Sequence, residues 1–391
     1  GARMYTDFYF EPTEEQKMIQ EMVAEYATDR LAPLAPELDK KSEFPLATLK
    51  EMAELGLMGV NIPLDYGGTE AGVVAYSLAI PEIAAACAST AVTTAVTNMV
   101  AEIISKFGDE EQKRMHIPRI CSGEYPAASF ALSEGGAGSD AGALRCRARR
   151  DGDHYILNGE KLWISSGQYA GVMVVIAKVD TATRGRGLTA FLVTPDMEGV
   201  IIGPKEDKMG LRGSNTVSII LEDAKVPASA RLADEGSGFR IAMTALDGGR
   251  IGIGSPSLGI GRAALQASGA YAMDRIQFGK PIAKLDAVRD MLADMRTRYE
   301  ASRLLVLRAA HLKDAGRPFT REASEAKLFA TESANRICQD AVQIHGGYGY
   351  VKEYDVERYF RDVRVTTIYE GTSQVQQIVA ARETLRLLDL A

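Results

Sequence analysis

The residues best suited to chemistry lie in a few polar, glycine-rich stretches, and the first of them contains Glu370. This glutamate stands between the apolar pair Ile368 and Tyr369 and the flexible Gly371. Desolvation by such neighbours would raise the pKa of the carboxyl group and make it a stronger base. Read without its context, the stretch is better explained by a helix cap, with Glu370 preceding a helix that begins near Ser373.

Two further stretches could hold a ligand. Residues 130–140 combine three glycines with serines, so backbone N–H groups and hydroxyls could approach a flat or phosphorylated molecule closely. A simple linker between two domains would have the same composition. Residues 161–167 contain Trp163, the one tryptophan, followed at once by polar residues. This order is typical of an aromatic wall beside a polar site, although a lone tryptophan is more often part of a core.

Several well-known catalytic motifs are missing from the chain. It has no phosphate-binding G-x-x-x-x-G-K-[ST] loop, no H-E-x-x-H zinc motif and no G-x-S-x-G nucleophile turn. Its four histidines are far apart and lack ligand spacing, so no metal site is predicted. A glycine-rich turn over 343–349 includes His345, for which a structural role is the better interpretation.

Length and charge exclude other classes of protein. A chain of 391 residues exceeds the size of one hydrophobic core, which predicts two or three domains. The net charge of −7 lacks the excess of Lys and Arg found in nucleic-acid binders. No apolar run is long enough for a membrane span, and four scattered cysteines favour a reducing compartment.

The pattern of apolar residues changes twice along the chain. Thr13 and Gln16 form a capping box before a helical pattern, Pro45 marks the first turn of another helix, and 73–104 reads as one buried helix. Short β-branched runs then predict strands over 155–157, 172–177, 188–193 and 217–221. Beyond Phe239 the pattern is helical again.

These patterns predict an α+β chain of three parts. We expect an N-terminal all-α domain over 4–125, a middle β-domain over 126–235 and a C-terminal helical domain over 236–391. Because no helix-length pattern separates the strands, the middle domain should be an antiparallel sheet or a small barrel.

Seven motifs recur in one order along the chain, and together they carry a family resemblance. They occupy residues 63–68, 133–140, 161–165, 247–250, 275–281, 343–349 and 369–374. In this order and spacing the chain resembles the acyl-CoA dehydrogenase family, most closely its short-chain, butyryl-CoA-type members. The resemblance implies that the C-terminal domain is a four-helix bundle and that the protein is a homotetramer.

The resemblance also implies an activity. It is the FAD-dependent α,β-dehydrogenation of a short-chain acyl-CoA to the 2-enoyl-CoA, with electrons passed to an electron-transfer flavoprotein. Glu370 would be the catalytic base that removes the α-proton while a hydride leaves the β-carbon for the flavin. Branched and cyclic acyl chains stay open as substrates.

Site residues follow from the matching positions. FAD would be bound by Phe130, Leu132, Ser133, Ser139, Trp163, Ile164, Ser165, Arg275, Phe278, Gln343, Gly346, Gly347, Thr372 and Gln374, with Arg275 reaching from a neighbouring subunit. The acyl-CoA would be bound by Ser139, Asp247, Arg250 and Gly371. Asp286 stands where close relatives carry a glutamine near the FAD pyrophosphate, and we leave it out of the site.

Two positions narrow the subfamily. Gly249 occupies the place where isovaleryl-type relatives carry their base, which makes Glu370 the one well-placed carboxylate. Residues 88–97 lack the arginine with which glutaryl-type relatives bind a second carboxylate, so a dicarboxylate substrate is disfavoured. A flavin monooxygenase or oxidase and a noncatalytic protein on the same fold are the alternatives. The expected location is the cytoplasm of a bacterium, with the mitochondrial matrix as second choice.

Overall fold

The structure is a computed structural model and describes residues 11–179 and 187–388. Residues 4–10 of the predicted first domain and residues 389–391 of the last lie outside the described ranges. Within those ranges, none of the helices combines the length and the apolar character needed to cross a membrane.

The first part of the chain is helical, as predicted. Its helices are α1 (Glu14–Tyr26), α2 (Ala35–Lys41), α3 (Leu46–Glu54), α4 (Val73–Ala86), α5 (Ala88–Phe107) and α6 (Glu110–Cys121). The capping box is present, because the Thr13 hydroxyl accepts from the Gln16 N–H at 3.2 Å and the Gln16 side chain accepts from the Thr13 N–H at 2.9 Å. The single helix expected over 73–104 is wrong, since Cys87 is extended and separates α4 from α5. The break is buried and carries neither Pro nor Gly, so packing determines it rather than a turn signal.

The middle part forms one sheet. Its strands are β1 (Ala127–Ala131), β2 (Arg147–Asp151), β3 (His154–Ser165), β4 (Ala170–Val179), β5 (Leu188–Val193), β6 (Val200–Lys205), β7 (Thr216–Pro227) and β8 (Arg231–Leu232). The order is β6-β7-β3-β2-β4-β5-β8, with β1 added to β4. Most pairings are antiparallel, as expected, but β1 and β2 each pair with β4 in parallel. Four strands were not predicted: the short β1 and β8, the highly charged β2, and β6, which contains Pro204.

The last part is the predicted bundle. It is built from α7 (Gly238–Asp274), α8 (Asp286–Asp314), α9 (Thr320–His345) and α11 (Ser373–Leu387), with the short α10 (Val356–Val363) beside them. A hairpin of β9 (Ile276–Gln277) and β10 (Lys280–Pro281) projects between α7 and α8. The fold is therefore helical, β and helical in chain order.

The three parts meet around α5 and α7. One apolar core joins the two helical parts, with Met52 and Ile80 in the same cluster as Val306 and Ile337. A second core packs Val100 of α5 and the start of α7 against one face of the sheet. Because the secondary structure changes between Cys121 and Ala127 and again between Leu232 and Gly238, we propose to keep the domain boundaries near 125 and 236.

A buried ion pair attaches the loop after β1 to the sheet. Lys161 of β3 is 0% exposed, and its Nζ lies 2.7 Å from Glu134 Oε2 and donates to the Leu132 carbonyl at 3.0 Å. Glu134 also accepts from the backbone N–H groups of Arg145 and Cys146 at 2.7 and 3.1 Å. Two enclosed charges are thus compensated by each other and by backbone dipoles, which fixes the glycine-rich loop in place.

We predict that Glu134→Gln destabilises the protein strongly. The substitution leaves the Lys161 ammonium buried without a counter-charge, a loss of about 3–5 kcal/mol. The measurement is the apparent free energy of unfolding in urea. Glu37→Gln is the matched control, because it removes the carboxylate of the exposed pair with Lys41 and should cost less than about 1 kcal/mol. Equal losses in both variants would contradict a structural role for the buried pair.

Candidate active site

A cavity of about 390 Å³ lies where α4, α5 and α7 meet the segment before α11. Its apolar wall includes Val73, Ala95, Val96, Met99 and Ile103. Its polar wall includes Tyr76, Glu102, Asp247, Lys313 and Glu370. Such a concave space, with an apolar wall and a few polar groups, is what a small-molecule site requires.

The Glu370 carboxylate faces this cavity. Its Oε2 atom is enclosed and has no hydrogen-bond partner among the described residues. The residue itself is in the left-handed conformation, with φ +52°, which is unusual for a side chain other than Gly. Below it on α7 is Gly249, where an added Cβ would lie 3.1 Å from Oε2 and 3.6 Å from the Met99 sulfur. The absence of a side chain at 249 therefore makes room for the carboxylate.

Burial of the Glu370 carboxyl raises its pKa above the ordinary value, while the positive charge of Lys327 opposes this shift. A carboxylate with a raised pKa is a stronger base. The capping interpretation of Glu370 is wrong, because the Thr372 hydroxyl caps α11 by accepting from the Val375 N–H at 3.2 Å. Among the described residues, the Glu370 N–H donates to no backbone acceptor.

A second candidate surface is the edge of the sheet around Trp163. A register shift between Lys161 and Ile164 in the pairing of β3 with β7 places Trp163 in a bulge, with φ +61°. The bulge turns its side chain outward, so the indole is 64% exposed. The adjacent Ser165 and the loop at Ser133 flank it, and the Ser133 carbonyl accepts from the Leu162 N–H at 2.9 Å.

This surface fits a flat aromatic cofactor. An added Cβ at Gly136 or Gly138 would meet no atom within 4 Å, so the loop beside Trp163 is open. The exposed indole offers a stacking face, and the half-buried Ser133 and Ser165 can offer hydroxyls at its edge. By contrast, the side chains of Leu132 and Ile164 are buried, which leaves only their backbone groups for a ligand.

A third group lies at the far end of α7 and α9. The Arg275 guanidinium is over the Tyr348 ring, with 5.3 Å to the centroid, next to the turn at Gly346 and Gly347. An added Cβ at either glycine would meet open space. Gln343 is exposed on the last turn of α9. The structure thus brings these predicted cofactor residues together as an exposed polar patch with one arginine.

The remaining predicted residues have mixed surroundings. Asp247 and Arg250 form an ion pair with each other on α7, and Arg250 is only 7% exposed, with burial lowering its pKa. Phe130 is half-buried, Ser139 and Gln374 are exposed, and Gly371 has φ +89°. Asp286 is the exposed first residue of α8, where the helix dipole favours a carboxylate, so nothing in the structure requires it to face an anionic ligand.

The buried lysine beneath Glu370 was not predicted from the sequence. Lys327 lies among the buried Ala323, Ala326 and Ala330 on the apolar face of α9. A lysine at such a position was the available signal, because charged side chains are rarely enclosed without a reason. The roles of Glu134 and Lys161 had no comparable signal, since their pairing joins positions 27 residues apart.

Family models match the chain over most of its length. The acyl-CoA dehydrogenase N-terminal, middle and C-terminal domain models cover residues 13–124, 129–224 and 236–385. The chain is 46% identical over 374 residues to the mitochondrial short-chain specific acyl-CoA dehydrogenase of Bos taurus, covering 95% of this chain and 90% of that relative.

Solved structures agree with this assignment. Butyryl-CoA dehydrogenase from Megasphaera elsdenii superimposes with a TM-score of 0.94 at 39% identity, covering 97% of this chain and 100% of the other. A chain from work on the electron transferring flavoprotein of Acidaminococcus fermentans gives 0.95 at 43% identity, with the same coverage. An acyl-CoA dehydrogenase complexed with FAD from Bacillus anthracis gives 0.90 at 33% identity, covering 96% of this chain and 67% of that one. This chain therefore belongs to the acyl-CoA dehydrogenase family of FAD-dependent oxidoreductases.

Proposed function

We propose that this enzyme oxidises short-chain acyl-CoA thioesters to 2-enoyl-CoA and passes the electrons to an electron-transfer flavoprotein. The observation that carries the proposal is the enclosed Glu370 carboxylate above Gly249, facing a cavity of about 390 Å³. The short-chain specificity of the bovine relative supports the substrate class, and the Acidaminococcus fermentans chain supports the electron acceptor.

Glu370 is the catalytic base. Its carboxylate takes the proton from the α-carbon of the thioester, and the hydride from the β-carbon completes the loss of two hydrogens. When bound, FAD supplies the acceptor for that hydride. Exclusion of water around Oε2 keeps the carboxylate basic, and the Glu370 N–H would donate to the thioester carbonyl and so acidify the α-carbon.

The cofactor would occupy the two surfaces described above. Trp163, Ser133 and Ser165, with Phe130 and the backbone of Leu132 and Ile164, would hold the ring. Arg275, Phe278, Gln343, Gly346 and Gly347 would hold the phosphates and the adenylate, together with Gln374. The Thr372 hydroxyl already accepts a hydrogen bond that caps α11. Thr372 would therefore help to hold the adenylate mainly by lying beside it.

The CoA portion would follow Ser139 and the start of α7. Asp247 lines the cavity, whereas Arg250 is buried and forms an ion pair with Asp247. We therefore propose that Asp247 contacts the CoA directly and that Arg250 orients Asp247. Gly371 would support the thioester beside the base. A short acyl chain suits the space above the glycines at 248, 249 and 252, and branched or cyclic chains stay within the proposal.

We predict that the purified protein is yellow and that butyryl-CoA, added without oxygen, bleaches its flavin absorbance. Glu370→Gln should keep the colour and bleach about 10²–10⁴-fold more slowly, since the general base is lost. Glu102→Gln is the matched control, because it removes another cavity carboxylate and should bleach like the wild type. Bleaching of Glu370→Gln at the wild-type rate would contradict the assignment.

The same preparation separates the alternatives. Oxygen consumption as fast as reduction of an artificial dye would favour an oxidase or monooxygenase, and failure to retain FAD would favour a noncatalytic protein. Initial rates with a series of linear, branched and cyclic acyl-CoA substrates, with glutaryl-CoA included, define the substrate. A bacterial cytoplasm is our first choice of location and the mitochondrial matrix our second.

We also propose a homotetramer. The β9–β10 hairpin exposes Ile276 and Phe278, and Phe278 is 88% exposed with φ +54°. An apolar, strained hairpin tip of this kind gains most when another subunit covers it. Arg275, at the base of the same hairpin, would then reach a cofactor in that neighbouring subunit.

We predict that Phe278→Asp weakens both assembly and FAD retention, because a charge replaces the apolar tip at the proposed subunit contact. Light scattering after size exclusion gives the mass, and absorbance gives the flavin content. Leu64→Asp is the control, since Leu64 is also well exposed, 66%, but lies in the N-terminal domain. A monomeric wild type, or equal behaviour of both variants, would contradict the proposed interface.

A further inference from the structure

A buried lysine holds the backbone on both sides of the base. Lys327 of α9 is 1% exposed, and its Nζ donates to the Tyr369 carbonyl at 2.7 Å and to the Gly371 carbonyl at 2.5 Å. These are the carbonyls of the residues immediately before and after Glu370. The ammonium therefore bridges the two ends of the turn that carries the carboxylate.

That turn needs such support. Glu370 and Gly371 are consecutive residues with positive φ, +52° and +89°. The left-handed conformation costs a residue with a Cβ roughly 1–2 kcal/mol, so Glu370 would leave it if nothing held the flanking carbonyls. Leaving it would also turn the carboxylate away from the space above Gly249. A second donor, the Gln376 side chain, reaches the Gly371 carbonyl at 3.1 Å, but it carries no charge.

The charge of Lys327 has few other partners. Among the described residues, the direct hydrogen-bond partners of its Nζ are the Tyr369 and Gly371 carbonyls, so carbonyl dipoles provide its direct contacts. Burial lowers the pKa of Lys327 to about 8, and Glu370 is the largest opposing influence. In return, Lys327 opposes the rise in the pKa of Glu370. Base and lysine therefore favour each other's charged form.

Other ionisable groups face the pair. Arg250 of α7 disfavours the charged form of Lys327, and Glu332, one turn further along α9, favours it. Tyr76 of α4 and Tyr369 are buried near Glu370, and burial raises the pKa of both phenols far enough that they stay neutral in the range where the base ionises. Glu102, Asp247 and Lys313 line the same cavity as Glu370. Of the two lysines, Lys327 is the one whose charge lowers the pKa of Glu370.

We propose that Lys327 is a positioning residue whose ammonium holds the 369–371 turn in its left-handed form and aims the Glu370 carboxylate at the substrate. The proposal rests on the proposed role of Glu370 as the base. It assigns two separable effects to one side chain, because the hydrogen bonds determine geometry and the charge determines the pH at which Glu370 loses its proton.

The test compares Lys327→Met with Gln376→Met. Both remove a donor to the Gly371 carbonyl, but only the first removes a charge. The base is active when deprotonated, so activity falls as pH drops through the Glu370 pKa. Without the Lys327 charge that pKa rises, and we expect the acidic limb of kcat/KM for butyryl-CoA to move upward by about one pH unit or more. Gln376→Met should leave the limb in place, and Lys327→Arg should bring it back toward the wild-type pH.

Two readouts do not depend on turnover. Infrared difference spectra against Glu370→Gln report protonation of the Glu370 carboxyl directly, and this titration should move with the acidic limb. Nitrogen NMR of labelled lysine in Glu370→Gln reports the reciprocal effect, a lower pKa for Lys327 once the carboxylate is gone. The second measurement needs no substitution at 327, so it holds even if Lys327→Met does not fold.

The titration results and the bleaching results test different claims. An acidic limb and a carboxyl titration that stay at the wild-type pH in Lys327→Met would overturn the inference, as would a Lys327 titration unchanged in Glu370→Gln. Failure of the proposed function looks different, because wild-type protein would then not bleach with butyryl-CoA or Glu370→Gln would bleach normally. The two titrations remain measurable in that case and still decide whether Lys327 acts on Glu370.

Discussion

The proposed chemistry depends on keeping one carboxylate, that of Glu370, out of water while leaving it ionisable. Enclosing the Glu370 carboxyl raises its pKa, and an enclosed carboxylate without compensation would simply hold its proton. Lys327, which donates to the Tyr369 carbonyl, limits this rise in the pKa of Glu370. The glycine at 249 leaves room for the Glu370 carboxylate. Base strength and access to substrate are thus obtained together from a buried charge, a left-handed residue and a missing side chain.

Each part of the chain contributes one side of the site. The N-terminal helices α4 and α5 provide most of the apolar wall, and α7 provides the glycine-containing floor. The β-domain provides the exposed Trp163 and the loop fixed by the Glu134–Lys161 pair. The segment before α11 provides Glu370, the proposed base. Because the two helical parts share a single apolar core, these elements cannot easily shift relative to one another.

Much of the fold was predictable because it follows local patterns. The capping box at Thr13, the strands within β3, β4, β5 and β7 and the long helices of the bundle all appear where apolar periodicity and turn residues indicate them. The break at Cys87 and the parallel pairing of β1 and β2 with β4 did not follow from pattern. Both depend on which distant surfaces the segment packs against, and periodicity carries no information on that.

The sequence by itself predicted Glu370 as the base, the glycine at 249 beside it and the residues suited to holding FAD and CoA, because the family resemblance depends only on residue type and order. Only the tertiary structure decided that Trp163 is turned outward by a bulge and that Thr372 rather than Glu370 caps α11. It also decided that Lys327 donates hydrogen bonds to the carbonyls on both sides of Glu370. The physical reason is that hydrogen bonds and enclosure join residues far apart in the chain, such as 327 and 369. Their energies exist only once the intervening segments have folded.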